Sequence, residues 1–87
     1  MQVIPRIKEI KAEDNLKLLV TFDNDEQVIY DVKDDVDTIS DFRPLETETG
    51  LFKNFQLDPS RTCVYWSDRI DLPSDTILEY GKKIRKI

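Results

Sequence analysis

The amino-acid sequence predicts an α+β domain made of an antiparallel three-stranded meander, a long acidic connecting loop, a second β-hairpin and a short C-terminal helix. Residues 16–22 place apolar side chains at every second position, which is the pattern of a strand with one buried face. Residues 63–72 combine β-branched and aromatic side chains with a polar turn, which is typical of a hairpin. Residues 74–81 begin with serine and end with glycine, which are common at the two ends of a helix.

Three apolar segments separated by two polar turns predict the meander. Residues 7–12 mix apolar and basic side chains, which fits either an irregular strand with a bulge or a weak helix, and the neighbouring strands favour the strand. Residues 13–15 form the first turn, and the alternating segment 16–22 is the second strand. Residues 23–26 form a polar turn that tolerates left-handed conformations, and residues 28–32 repeat the alternation as a third strand.

The alternation fails in the aspartate-rich connection between residues 33 and 54. Pro44 and Gly50 interrupt this segment, so we expect an irregular loop that contains a single helical turn. Leu45 and Phe52 are apolar enough to hold the loop against the core rather than leave it free.

The second hairpin lies at residues 63–72 and is preceded by a short strand at residues 55–57. The two are joined by Asp58–Arg61, where Asp at the first position and Pro at the second suit a type I turn. Because Cys63–Trp66 is rich in strand-forming residues without polar interruption, we expect this strand to be covered on both faces.

A two-turn helix is predicted after the second hairpin. Ser74 is expected to cap its start by accepting from a free backbone N–H, and Gly81 to close it in the left-handed conformation. Residues 82–87 are expected to form a frayed basic tail, in which Ile84 and Ile87 are spaced to extend a helix on a partner. The apolar side of the helix comprises Ile77, Leu78 and Tyr80.

The 87 residues are expected to form a single domain, with its core at about residues 4–81 and a basic tail at 82–87. The formal net charge is −5, but residues 1–81 carry −9 because four of the thirteen basic residues lie in the last six. Such an acidic domain repels phosphate backbones, so nucleic acid is not an expected partner of the folded part. Without an apolar signal segment or a stretch of about 20 apolar residues, the expected location is cytoplasmic, not a membrane.

Catalytic and metal sites have few candidates in this sequence. The chain has one cysteine and no histidine, which excludes an intramolecular disulfide and a Cys/His zinc site. Cys63 also lacks a histidine to activate it, so we expect a buried, inert thiol, no cofactor and no enzymatic activity. Aspartates at 31–41 could supply oxygen ligands for Ca²⁺ or Mg²⁺, although their spacing is not that of a calcium loop, and a solvated acidic loop is the alternative. These aspartates are Asp31, Asp34, Asp35, Asp37 and Asp41.

A candidate interaction surface is predicted around the second hairpin. Tyr65 and Trp66 point to opposite faces of their strand, and the core is the favoured position for Trp66, whereas an exposed aromatic would be a binding hot spot. Asp71 is expected to satisfy backbone donors at the turn or at the start of the helix rather than to act as a metal ligand or a base. The edge strand at residues 55–58 lacks protecting charges on its first three residues, which predicts a weak symmetric homodimer or use of the same edge by a partner protein. The candidate residues are Tyr65, Trp66, Asp68, Arg69, Asp71, Phe42 and Leu57.

Several short motifs between residues 4 and 81 resemble the bacterial family known as domain of unknown function 2442. They are Pro5-Arg6-Ile7, Leu18 to Phe22 with its acidic turn, Val28 to Val32 with its Tyr-Asp pair, Arg43-Pro44-Leu45, and the closing run Val64 to Leu72. Two positions depart from the family pattern, which usually has glycine where this chain has Asp25 and Arg69. The resemblance implies a small α+β domain without catalytic activity and, from gene neighbourhoods, a partner in modules similar to toxin–antitoxin pairs.

These observations favour a non-catalytic interaction module that binds a partner protein in an antitoxin-like or regulatory role. The acidic domain would complement a basic partner, and the sequence contains no recognisable catalytic apparatus. The alternative is a small-ligand or divalent-metal binding domain that uses a cleft between the sheet and the acidic loop.

Overall fold

The computed structural model describes residues 4–84 and confirms the predicted α+β architecture. Within these residues, seven strands form two antiparallel sheets, one ordered β1-β2-β3-β7 and the other β4-β5-β6. The strands are β1 Ile7–Glu13, β2 Lys17–Phe22, β3 Gln27–Asp31, β4 Gln56–Leu57, β5 Cys63–Ser67, β6 Ile70–Pro73 and β7 Lys82–Lys83. The helices are α1 Val32–Thr38, α2 Pro44–Thr47 and α3 Ser74–Tyr80, with a 3-10 turn at Ser40–Phe42 between the first two.

The predicted meander is present as β1, β2 and β3. The bulge predicted in the first strand is a register shift between Ile7 and Glu9. Leu16 was predicted to begin the second strand, but it lies in the preceding turn with a φ of 59°, and the strand starts at Lys17. In the following turn Asp25 has a φ of 67°, the left-handed conformation that glycine adopts most easily.

The connection between the two sheets is more helical than predicted. The loop with one helical turn expected at residues 33–54 is replaced by α1, the 3-10 turn and α2. Asp31 caps α1, because its carboxylate accepts a hydrogen bond of 3.0 Å from the backbone N–H of Lys33. Val32 and Val36 are buried one turn apart on the same side of α1, and their burial stabilises the helix. The pattern of alternating apolar residues does not reveal this helical spacing.

The second sheet contains the predicted hairpin, with β5 between β4 and β6. Val64 and Trp66 are buried, whereas Cys63 and Tyr65 on alternate positions are half-buried. The prediction that this strand is covered equally on both faces is therefore wrong, because the sheet has one core face and one partly exposed face.

Two predictions about the ends of α3 are corrected by the packing around it. The side chain of Ser74 does not cap the helix but donates a hydrogen bond of 2.6 Å to the carbonyl oxygen of Pro5. Gly81 has an ordinary φ of −72°, and glycine is needed there because a Cβ would lie 2.5 Å from the carbonyl oxygen of Ile77 and 3.2 Å from Val28. Tyr80 is 72% exposed and does not belong to the apolar side of the helix.

The beginning of the predicted frayed tail is a strand. β7 pairs with β3, placing Lys83 opposite Val28 and Lys82 opposite Ile29. The N–H of Ile84 continues the pairing by donating to the carbonyl oxygen of Gln27 at 3.0 Å. The rest of the predicted tail, including Ile87, lies outside the described residues.

A single hydrophobic core lies between the inner faces of the two sheets, the connecting helices and α3. The meander, the connection between the two sheets, the hairpin and α3 all contribute residues to this core. Leu45 and Phe52, which were predicted to hold the connection against the core, are among its buried members. Its buried members are Ile7, Leu18, Val20, Phe22, Val28, Tyr30, Val32, Val36, Phe42, Leu45, Phe52, Val64, Trp66, Ile70, Leu72 and Ile77.

Candidate interaction surface

The outer face of the second sheet brings together part of the predicted surface. Tyr65 lies in register with Gln56 on one side and with Asp71 on the other. Because side chains alternate across a strand and Val64 and Trp66 are buried, Tyr65 is on the face away from the core. Cys63, two positions earlier on β5, shares that face. We call this set, Gln56, Cys63, Tyr65 and Asp71, the tyrosine face.

The charge around the tyrosine face is negative. Partial burial raises the pKa of the Cys63 thiol, and the carboxylates of Asp71 and Asp58 raise it further. A thiol with a raised pKa carries little thiolate near neutral pH, so this environment does not activate Cys63 as a nucleophile. Cys63 is half-buried rather than fully buried as predicted, and its Sγ lies 3.6 Å from the carbonyl oxygen of Val64.

The hairpin turn beside this face consists of Asp68 and Arg69, which are both exposed. The N–H of Arg69 donates to the hydroxyl oxygen of Ser67 at 3.3 Å. Arg69 is not among the described residues with a positive φ, so the position where the family usually has glycine does not require glycine in this chain. The turn therefore presents both charged side chains to solvent without backbone strain.

Three residues of the predicted interaction surface lie on the core side instead. Trp66 is 9% exposed, donates a hydrogen bond of 2.8 Å from Nε1 to the carbonyl oxygen of Phe52 and stacks on its ring at a centroid distance of 6.0 Å. Phe42 is 5% exposed in the same core. Leu57 is half-buried against the core, since it pairs with Val64. Burial thus removes Phe42 and Trp66 from the surface, and Leu57 faces away from Tyr65.

Three of the five aspartates considered as cation ligands have separate roles in the structure. Asp31 caps α1, Asp35 accepts a hydrogen bond of 2.6 Å from the hydroxyl of Tyr30, and Asp37 pairs with Lys33 at 3.3 Å. Lys33 also contacts Glu46 at 2.5 Å, and these hydrogen bonds raise its pKa. Within residues 4–84 no three acidic, histidine or cysteine side chains converge as a metal site would require. The arrangement is that of a charged helical surface.

Sequence reasoning missed a groove of about 740 Å³. It lies between the N-terminal segment, the β2–β3 turn, the loop before β5 and helix α3. No local pattern could have indicated it, because its residues come from four separate parts of the chain. They are Ile4, Pro5, Arg6, Phe22, Asp23, Asn24, Glu26, Ser60, Thr62 and Leu78.

A smaller cleft of about 250 Å³ lies where the alternative function was predicted, between the β1–β2 turn and the acidic connection. Four acidic side chains line it, which makes it unfavourable for anionic ligands, and its volume is below the usual range for small-molecule sites. These side chains are Glu13, Asp14, Glu46 and Glu48.

The two sheets, the helical connection and the partly exposed tyrosine face define a small α+β domain. Within the part of the chain that the structure describes, no helix is long and apolar enough to cross a membrane. The model of the family described as "Protein of unknown function (DUF2442)" matches residues 7–83, and the chain belongs to that family. Comparison with curated proteins and with solved structures found no match.

Proposed function

We propose that this protein is a non-catalytic domain that binds a partner protein through the tyrosine face. The observation that carries the proposal is the position of Tyr65, a half-buried aromatic side chain held between Gln56 and Asp71 on an open sheet face. Tyrosine offers a large contact area and a hydroxyl group at low conformational cost, which is why it is enriched at protein interfaces.

The partner that fits this surface is basic. Asp58, Asp68 and Asp71 lie on or beside the tyrosine face, and residues 1–81 carry a formal net charge of −9. Complementary charge accelerates association and excludes acidic competitors. An antitoxin-like or regulatory role would follow if the bound partner is an effector whose active surface is basic, and a product of a neighbouring gene is the first partner to test.

Affinity purification from the source organism tests this proposal with a matched pair of variants. Tyr65→Ser removes the aromatic ring of the tyrosine face, whereas Tyr80→Ser removes an exposed ring of α3. We expect a specific protein to be enriched by wild type and Tyr80→Ser but lost with Tyr65→Ser, and the purified pair to reproduce this result. Equal enrichment by all three proteins, or enrichment by none, would contradict the proposal.

The antitoxin-like role has its own readout. If the captured protein slows growth when it is produced alone, co-production of the wild-type chain is expected to restore growth, and co-production of Tyr65→Ser is not. Growth arrest that wild type does not relieve would leave partner binding standing and exclude the antitoxin role.

A second candidate function is the binding of a small ligand. The observation that favours it is the groove, whose volume of about 740 Å³ lies within the range of small-molecule sites. This groove is not the cleft beside the acidic connection that the sequence suggested. A ligand present at a hundred times its dissociation constant stabilises a protein by about 2.7 kcal/mol, so a thermal-shift screen detects such binding. A screen of metabolites without any shift would exclude this candidate.

A further inference from the structure

We infer that the groove binds small amphipathic carboxylates, with Arg6 holding the carboxylate and the apolar lining holding the hydrocarbon part. This inference rests on the small-ligand candidate and is independent of partner binding by the tyrosine face.

Both carboxylates that line the groove are paired with basic residues from outside the lining. Asp23 accepts two hydrogen bonds from Arg61, at 2.7 and 2.9 Å. Glu26 pairs with Lys83 at 3.2 Å. Each negative charge is thereby balanced at short range, so these two carboxylates repel a bound anion less than free ones would.

Arg6 is the basic residue of the groove lining, and it takes no part in these two ion pairs. It is exposed and lines the groove, and within residues 4–84 its side chain has no hydrogen-bond or ion-pair partner. A guanidinium group presents a planar set of donors that matches a carboxylate, and such charge-assisted pairs are stronger than neutral ones. Among the charged side chains that line the groove, Arg6 is therefore the one whose charge no ion pair balances within residues 4–84.

The hydroxyl groups of the groove do not compete for this role. The Ser60 hydroxyl donates to Asp58 at 2.5 Å, so the 2.7 Å contact between Ser60 and Thr62 requires the Thr62 hydroxyl to donate to Ser60. Both hydroxyl hydrogens are engaged, and they are not available to an anion. Among the charged and hydroxyl-bearing side chains that line the groove, Arg6 is left as the one that can recognise a carboxylate.

The remaining lining is apolar and suits a hydrocarbon chain. Phe22 and Leu78 come from the core side, and Pro5 and Ile4 come from the N-terminal segment. Ile4 is 58% exposed, so a ligand that covered it would remove apolar surface from water. A carboxylate beside a short hydrocarbon chain combines the two chemistries that the groove offers.

Titration of the ¹⁵N-labelled full chain with octanoate, followed by NMR chemical shifts, tests the inference. Saturable shifts are expected at the amides of Arg6, Phe22 and Leu78, with a dissociation constant on the order of 1 mM for so open a site. Octylammonium has the same chain with the opposite charge and is expected to bind at least about 10-fold more weakly. Equal binding of the two probes, or no saturable shift at these amides up to about 10 mM, would overturn the inference.

Variants separate the two halves of the site. Arg6→Gln is expected to weaken octanoate binding about 10-fold, whereas Arg43→Gln, at an exposed arginine outside the groove, is expected to leave it unchanged. Ile4→Gln is expected to weaken octanoate binding about 3-fold. Because Ile4 is exposed, this substitution is not expected to unfold the protein. If Arg6→Gln and Arg43→Gln bind octanoate as wild type does, Arg6 does not hold the carboxylate and the inference fails.

A third probe tests whether the groove binds a small acid or the C-terminal carboxylate of a polypeptide. A capped apolar tripeptide with a free C-terminus presents the same chemistry from a polypeptide, and its amidated form lacks the charge. Binding of octanoate in preference to the free peptide supports the small-acid site. Binding of the peptide alone, with dependence on its free carboxylate, would overturn it in favour of a chain terminus as occupant.

Discussion

Arg61 donates from both terminal nitrogens of its guanidinium group to the carboxylate of Asp23, at 2.7 and 2.9 Å. The two residues are 38 positions apart, and the pair ties the β2–β3 turn of the first sheet to the loop between β4 and β5 of the second. Arg61 has a φ of 61°, and its carbonyl oxygen accepts a hydrogen bond of 2.7 Å from the N–H of Ile7. An uncommon backbone conformation is thus held in place by contacts with two parts of the meander.

A double-mutant cycle of Asp23→Ala and Arg61→Ala is expected to give a coupling energy of about 0.5–1 kcal/mol. Both side chains are roughly 40–45% exposed, which limits the value of the pair despite its two-pronged geometry. Urea denaturation of the four proteins measures the coupling. A value indistinguishable from zero would show that the ion pair between Asp23 and Arg61 does not stabilise the fold.

Trp66→Ala is expected to lower the free energy of unfolding by about 3–5 kcal/mol, since it leaves a large cavity in a small core. Trp66→Phe is expected to cost less, because it keeps the apolar contact with Phe52 but leaves the carbonyl oxygen of that residue without its donor. Thermal denaturation monitored by circular dichroism measures both. Tyr80→Ala is the control and is expected to change stability by less than about 0.5 kcal/mol. A Trp66→Ala protein as stable as this control would refute the assignment of Trp66 to the core.

Gly81→Ala is expected to destabilise the protein by about 1–3 kcal/mol, because the new methyl group would meet the carbonyl oxygen of Ile77 and the side chain of Val28. Gly50→Ala is a useful comparison, since Gly50 has a φ of +82° and open space around it. That substitution is expected to cost about 1–2 kcal/mol through backbone strain alone. Hydrogen exchange distinguishes the two: only Gly81→Ala should expose the amides that pair β7 with β3.

The bond between Tyr30 and Asp35 predicts a pH dependence of stability. Burial raises the pKa of the Tyr30 hydroxyl above its ordinary value, and the hydrogen bond to Asp35 raises it further. The unfolded chain therefore loses this proton first, so the stabilisation is fully present below about pH 10 and is lost as the pH rises above it. Denaturation from pH 7 to 11 is expected to show a steeper loss for wild type than for Tyr30→Phe. Parallel curves would contradict this assignment.

Self-association tests the prediction of a weak homodimer through the β4 edge. β4 is at the edge of the second sheet but contains only Gln56 and Leu57, so any pairing between copies would be weak. Sedimentation at high micromolar concentration is expected to show a dimer fraction that Gln56→Lys reduces. Leu57 is unsuitable for this test, because it packs against the core and a charge there would destabilise the fold. A strictly monomeric wild type would eliminate the homodimer.

The sequence by itself determined the meander, the second hairpin and the short helix after it. In each case the signal is local: side chains alternate along β2, and polar turn residues separate β5 from β6. The family resemblance likewise depended on the order and spacing of short motifs, and the match over residues 7–83 confirms it. Local patterns of this kind survive in the folded state because each strand needs one face in the core.

Tertiary structure alone decided the features that depend on residues distant in the chain. The helical connection forms because Val32 and Val36 pack against the core. Ser74 does not cap α3, because its hydroxyl donates to a carbonyl oxygen 69 residues earlier in the chain. Gly81 is required by the close approach of the carbonyl oxygen of Ile77 and the side chain of Val28, not by its own φ. The groove and the tyrosine face also arise only when separate segments meet. The sequence of one segment does not indicate which other segments its side chains will lie beside.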